Sequence, residues 1–121
     1  MINLQEHGIE LDCGETRNAE APDTFEIPCS AMRKNVGEGW FVKLIFIGRG
    51  RAGSTDDFGA ERIWVKVTEN TGEGYRGTLA NQPFCDNLAP LEWGSSIEFA
   101  SEHIVDIMDD SDIQEMHKLC Y

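Results

Sequence analysis

ERIWVKVTEN (61–70), GYRGTLANQPF (74–84) and GSSIEFASEHIVDIM (94–108) are the stretches whose patterning decides the fold. In the first, Ile63, Val65 and Val67 point one way while Trp64, Lys66 and Thr68 point the other, the period-two signature of a strand. Asn70-Thr71-Gly72-Glu73-Gly74 turns the chain, and Tyr75 to Asn81 returns as the hairpin partner. Gly77 inside the returning strand predicts a bulge there. Pro83 and Pro90 bound a loop, after which Ile97 and Phe99 mark a third strand and Ile104, Val105 and Ile107 supply one more apolar step. This order describes a small antiparallel β-domain and contains no recognisable catalytic motif.

Upstream, WFVKLIFIG (40–48) is the strongest strand in the chain. Trp40, Val42, Leu44 and Phe46 lie on one face, and Phe41, Ile45 and Ile47 join Lys43 on the other. Apolar residues on both faces predict a central strand whose second side is covered by a helix or loop. Phe25 and Ile27 alternate with Glu26 in a short strand pattern that Pro28 stops. Cys29 to Val36 suits a short helix, with Ser30 as its cap and Gly37 in the left-handed position after it. Residues 1–23 are an acidic N-terminal arm: Ile2, Leu4, Ile9 and Leu11 suffice for an edge strand or a loosely docked segment, and GETRNAEAPD (14–23) is a turn-rich linker. At the far end, Ser111 can cap a terminal helix with Gln114 or Glu115 in its first turn. The expected architecture is one α+β domain over residues 24–121: a bent antiparallel sheet or partly open barrel, one helix before Trp40 and a short C-terminal helix.

A chain of 121 residues with 40% hydrophobic composition is long enough to bury its own core. Its 22 Asp and Glu outnumber ten Lys and Arg, for a formal net charge of -12. Such a charge repels phosphates and anionic membranes, so either partner would require a local basic patch; a basic protein or a cation is the more natural partner. Cys13, Cys29, Cys85 and Cys120 show no C-x-x-C or zinc-finger spacing. The N-terminus has acidic residues where a signal peptide needs a basic start and an apolar run. A cytoplasmic protein with free thiols is the expectation.

WFVKLIFIG, ERIWVKVTEN, GYRGTLANQPF, GSSIEF and HIVDIM, in that order, resemble the YegJ-like domain-of-unknown-function family of bacteria over residues 39–109. The most specific pieces are Trp64-Val65-Lys66-Val67 and Gly77-x-Leu79-x-Asn81-x-Pro83. Where family members commonly carry Asp-Trp near the end of the domain, Asp106 is followed here by Ile107. The resemblance implies a small β-rich domain and carries over no reaction. Some related small acidic domains look like immunity proteins that neutralise toxins.

The motifs that could carry chemistry fail on context. Gly48-Arg49-Gly50-Arg51-Ala52-Gly53 matches G-x-G-x-x-G after a strand, but no helix can start there before the next strand begins, so the pyrophosphate would meet no helix N-terminus. Asp109-Asp110-Ser111-Asp112 opens like a calcium loop yet lacks its Gly and its terminal Glu. His117 and Cys120 would share a helical turn without further ligands to complete a zinc site. Cys29, at a helix start, is the best-placed candidate nucleophile, but Pro28, Ala31 and Met32 around it suit a packed, inert thiol. No catalytic residue, metal site or cofactor is expected.

The aromatic residues point to contact. Trp40 and Trp64 are expected in the core, whereas Trp93 sits in a Gly-bounded loop suited to an exposed anchor, and Tyr75 and Phe84 lie at the ends of the hairpin strand. Between Glu102 and Glu115 six carboxylates run without a Lys or Arg. Trp93, Asp109, Asp110 and Asp112 are therefore the candidate contact residues for a basic protein partner, in a non-catalytic protein-binding domain of immunity type. The competing expectation is a small-ligand binder or enzyme using the Trp-lined face of the sheet.

Overall fold

The structure is a computed structural model that describes residues 4–48, 59–84, 88 and 90–108. In chain order the elements are β1 (Ile9–Leu11), α1 (Gly14–Glu20), α2 (Ser30–Lys34), β2 (Phe41–Gly48), β3 (Gly59–Asn70), β4 (Tyr75–Leu79), β5 (Ser96–Phe99) and β6 (Asp106–Met108). Short 3-10 turns span Gln5–His7 and Ser101–His103.

All pairings are antiparallel, in the order β1-β2-β3-β4-β5, with β6 also on β2. β3 occupies one edge of β2 along its whole length, so β1 and β6 share the other, at residues 46–48 and 41–43 respectively. The sheet curls into a half-barrel accompanied by two helices, an α+β domain as the strand patterning predicts. The C-terminal helix expected after Ser111 lies outside the described residues.

The curl follows from the side chains it encloses. Val42, Leu44 and Phe46 of β2 face inward with Ile63, Val65 and Val67 of β3, Leu79 of β4 and Ile97 of β5, and Met32, Val36 and Ile104 close the open side. Ile45 and Ile47, on the opposite face of β2, form a second cluster with Val105 under the loop residues Phe25 and Ile27. β2 is thus the central strand, with a loop covering its second side. Phe25 and Ile27 serve as that cover and form no strand.

Several local expectations change. Ile9–Leu11 takes the edge-strand option, and Ile9 is buried in the main core. GETRNAEAPD is not a linker: its first seven residues form α1, held where Asn18 Nδ2 donates to Phe25 O at 2.8 Å and Glu15 meets Arg33. Packing by neighbours far along the chain overrides the turn-like composition. α2 begins after Cys29 with no side-chain cap, so Ser30 does not cap it. Gly37 is not left-handed; a Cβ there would stand 3.1 Å from the Trp40 ring, and the small residue lets that ring lie down. The bulge sits opposite Gly77, on β3 between Val67 and Glu69. Gly77 itself is required by close approach, since a Cβ would fall 2.6 Å from both Lys66 O and Val65 Cγ1.

Candidate functional site

The features that stand out for contact lie at the end of the sheet where β4 gives way to loop. Past Leu79, Ala80 N–H donates to Trp64 O at 2.8 Å, and Asn81 Oδ1 accepts from Trp64 N–H at 3.2 Å. This side chain continues the ladder after the strand has ended, a physical role for the asparagine of the Gly77-x-Leu79-x-Asn81-x-Pro83 stretch. Pro83 then redirects the chain, and the Glu61 carboxylate on β3 accepts from Phe84 N–H at 2.9 Å.

A second loop docks beside the first. Buried Leu88 and Leu91 anchor its base. Ser95 N–H donates to Glu92 O at 3.0 Å, Ser95 Oγ accepts from Glu92 N–H at 3.0 Å, and Gly94 is left-handed with φ +88. That tight turn presents Trp93 at its tip. Gln82 Oε1 accepts from Trp93 N–H at 3.1 Å and stitches the two loops together, while Gly94 N–H donates to Leu79 O at 2.8 Å. The backbones are held; the rings are not covered. Phe84 is 95% exposed and Trp93 71%. The Glu61 carboxylate sits at the Phe84 amide, and Glu92 precedes Trp93 in sequence.

Trp93, whose loop left burial and exposure equally open, is at the surface, and Phe84 joins it. Tyr75 does not: it is buried and stacks on Phe99 with centroids 5.4 Å apart. Trp64 is not a core residue either. It stands half-buried on the outward face of β3 with Lys43 Nζ 4.5 Å from its ring centroid, because the inward positions of β3 belong to Ile63, Val65 and Val67. Trp40 packs against the core. Asp109, Asp110 and Asp112 lie outside the described residues. Asp106, just before them, spends a carboxylate oxygen on Ile107 N–H at 2.8 Å.

Two adjoining hollows of about 520 and 250 Å³ flank the turn between β3 and β4. Tyr75, Arg76, Glu98 and His103 line the larger. The Tyr75 hydroxyl donates to Arg33 O at 2.8 Å and accepts from Val36 N–H at 3.3 Å, and burial raises its pKa above the ordinary tyrosine value. His103 Nδ1 accepts from Ala100 N–H at 3.0 Å, and burial lowers its pKa against the opposing pull of Glu102 and Asp12. The Tyr75 hydroxyl and His103 Nδ1 are each bonded to backbone, which braces the hollow. No group of three or more His, Cys, Asp or Glu that could hold a metal occurs among the described residues.

Sequence patterning gave no sign of Arg33, whose carbonyl accepts from the Tyr75 hydroxyl. Only 5% exposed, it donates from Nε to Pro28 O at 2.8 Å and from Nη1 to Glu15 Oε1 at 2.7 Å and Ser101 O at 3.3 Å. Cys29 is disulfide-bonded, which corrects the expectation of free thiols and removes it as a nucleophile; Cys13 is a free thiol.

No family model, curated protein or solved structure matches this chain. No helix among the described residues is long and apolar enough to cross a membrane.

Proposed function

We propose that this protein is a non-catalytic protein-binding domain that engages a basic partner through the aromatic rim at Phe84 and Trp93. The observation that carries this reading is the pair of rings standing 95% and 71% exposed on backbones pinned by specific hydrogen bonds. Holding large apolar side chains in water on ordered loops costs solvation free energy that a partner surface would recover. Less ordering entropy remains to be lost on binding where the backbone is already held at Phe84 and Trp93.

The basic character of the partner rests on charge. With a net charge of -12, an approaching Lys or Arg meets a negative long-range field together with exposed aromatic faces. Asp109, Asp110 and Asp112 extend the same chemistry in sequence. The concrete form of this reading is an immunity-type protein that masks a basic toxin or effector. The disulfide at Cys29 withdraws the thiol argument for a cytoplasmic location.

The test is affinity capture from the native cell with wild type and with a Phe84→Ser, Trp93→Ser variant. A basic protein retained by the first and lost by the second, with both folds intact, supports the reading. Equal retention places the contact elsewhere.

A further inference from the structure

Carboxylates outnumber cations 22 to ten in this chain, so a surface cation should readily find an acidic neighbour. Arg17, Arg33 and Arg76 do, with Asp12, Glu15, and Glu69 and Glu98. Lys43, Arg62 and Lys66 form no ion pair among the described residues, and all three project from the outward face of β2 and β3. Lys43 and Arg62 lie instead over aromatic rings, 4.5 Å from the Trp64 centroid and 5.4 Å from that of Phe25. Asp106, the register partner of Lys43 on β6, turns an oxygen to Ile107 N–H. Glu10, Asp106, Glu69 and Glu98 share the outward face of the sheet, but Lys43, Arg62 and Lys66 stand together on it as a local cationic patch, with Trp64 half-buried between Arg62 and Lys66.

We propose that this face is a second interaction surface, one that takes an extended acidic segment of a partner protein, independently of the aromatic rim. Alternate residues of a strand are about 6.8 Å apart, so Arg62, Trp64 and Lys66 present cation, ring and cation at that spacing. An extended peptide lying along β3 repeats with the same period. A carboxylate, an apolar side chain and a second carboxylate on its alternate residues would meet the three in order, and Lys43 would supply a further charge beside Trp64. The occupant is a peptide rather than a single-stranded nucleic acid because base stacking needs an open ring face, and Lys43 lies over Trp64. The net charge of -12 also opposes a polyphosphate at long range more than a short acidic segment.

The test is fluorescence anisotropy of the full-length protein with a labelled peptide repeating Glu-Ser-Leu-Ser. A Gln-Ser-Leu-Ser peptide and a short oligothymidylate serve as comparisons. The acidic peptide should bind about tenfold more tightly than the neutral one, weaken as salt rises, and lose that advantage in Lys43→Gln, Lys66→Gln protein. Trp93→Ser protein should bind it unchanged, which separates this surface from the rim. Equal binding of the acidic and neutral peptides, or no effect of the double substitution, overturns the proposal. So does tighter binding of the oligothymidylate, which would make the face a nucleic-acid surface. Sedimentation showing a dimer that the double substitution dissolves would assign the face to a second copy and equally overturn it.

Discussion

Replacing Arg33 should cost more stability than any other change to a charged side chain described here, and the structure says how the cost divides. The residue is 5% exposed, and its guanidinium ties three separate segments: the loop before α2 at Pro28, α1 at Glu15, and the 3-10 turn at Ser101. Arg33→Ala leaves two carbonyl oxygens without their donors and removes the buried stem, at a cost of about 3–5 kcal/mol. Arg33→Lys keeps the charge but cannot reach several acceptors at once, so about 1.5–3 kcal/mol should be lost. Glu15 behaves differently, because its side chain is 46% exposed and water can replace its partner. Glu15→Gln should therefore cost less than about 1 kcal/mol. Urea unfolding at fixed redox state, with m-values checked for equality, measures all three. Arg33→Lys within about 0.5 kcal/mol of wild type would refute the assignment of a multi-acceptor anchor.

Leu44, wholly buried at the centre of β2, should cost about 2–5 kcal/mol when replaced by Ala, read from the same denaturation curves; a change below about 0.5 kcal/mol would deny it a place in the core. His103 carries a pH signature. Its folded pKa lies below the ordinary 6.5, so the unfolded chain binds the proton first and stability falls as pH drops from about 6.5 through the folded value. Between about pH 8 and pH 5 the wild type should lose more stability than His103→Gln, and parallel profiles would show that burial does not depress this group.

The sheet was legible because its chemistry is local. Alternation along Trp40–Ile47 and Ile63–Thr68, with the Asn70–Gly74 turn, carries the hairpin and the central strand without knowledge of distant contacts. The misread segments depend on neighbours that sequence spacing does not reveal. α1 has a turn-like composition and is held by Arg33 eighteen positions after Glu15. Gly37 and Gly77 look like backbone punctuation yet answer to close approach, to Trp40 in one case and to β3 in the other. Size argues for an inward Trp64, although its own period places it opposite Ile63, Val65 and Val67. At the rim, Trp93 was visible from its glycine-bounded loop. The pinning of Phe84 by Glu61, across 23 positions, was not. Arg33 and the cations grouped on β2 and β3, which form no ion pair among the described residues, emerge only once the strands are in register.

In the proposed function, Phe84 and Trp93 anchor a partner while contributing little to the fold. The measurement that tests it most directly is the dissociation rate of the partner captured from the native cell, compared for wild type and the single variants Phe84→Ala and Trp93→Ala. Because these rings are exposed in the free protein, each substitution should shift thermal unfolding little. Burial in the complex should make each one accelerate dissociation about tenfold or more, with association nearly unchanged. Unaltered dissociation in both variants, with unfolding unaffected, would show that the rim is bare surface and would contradict the account.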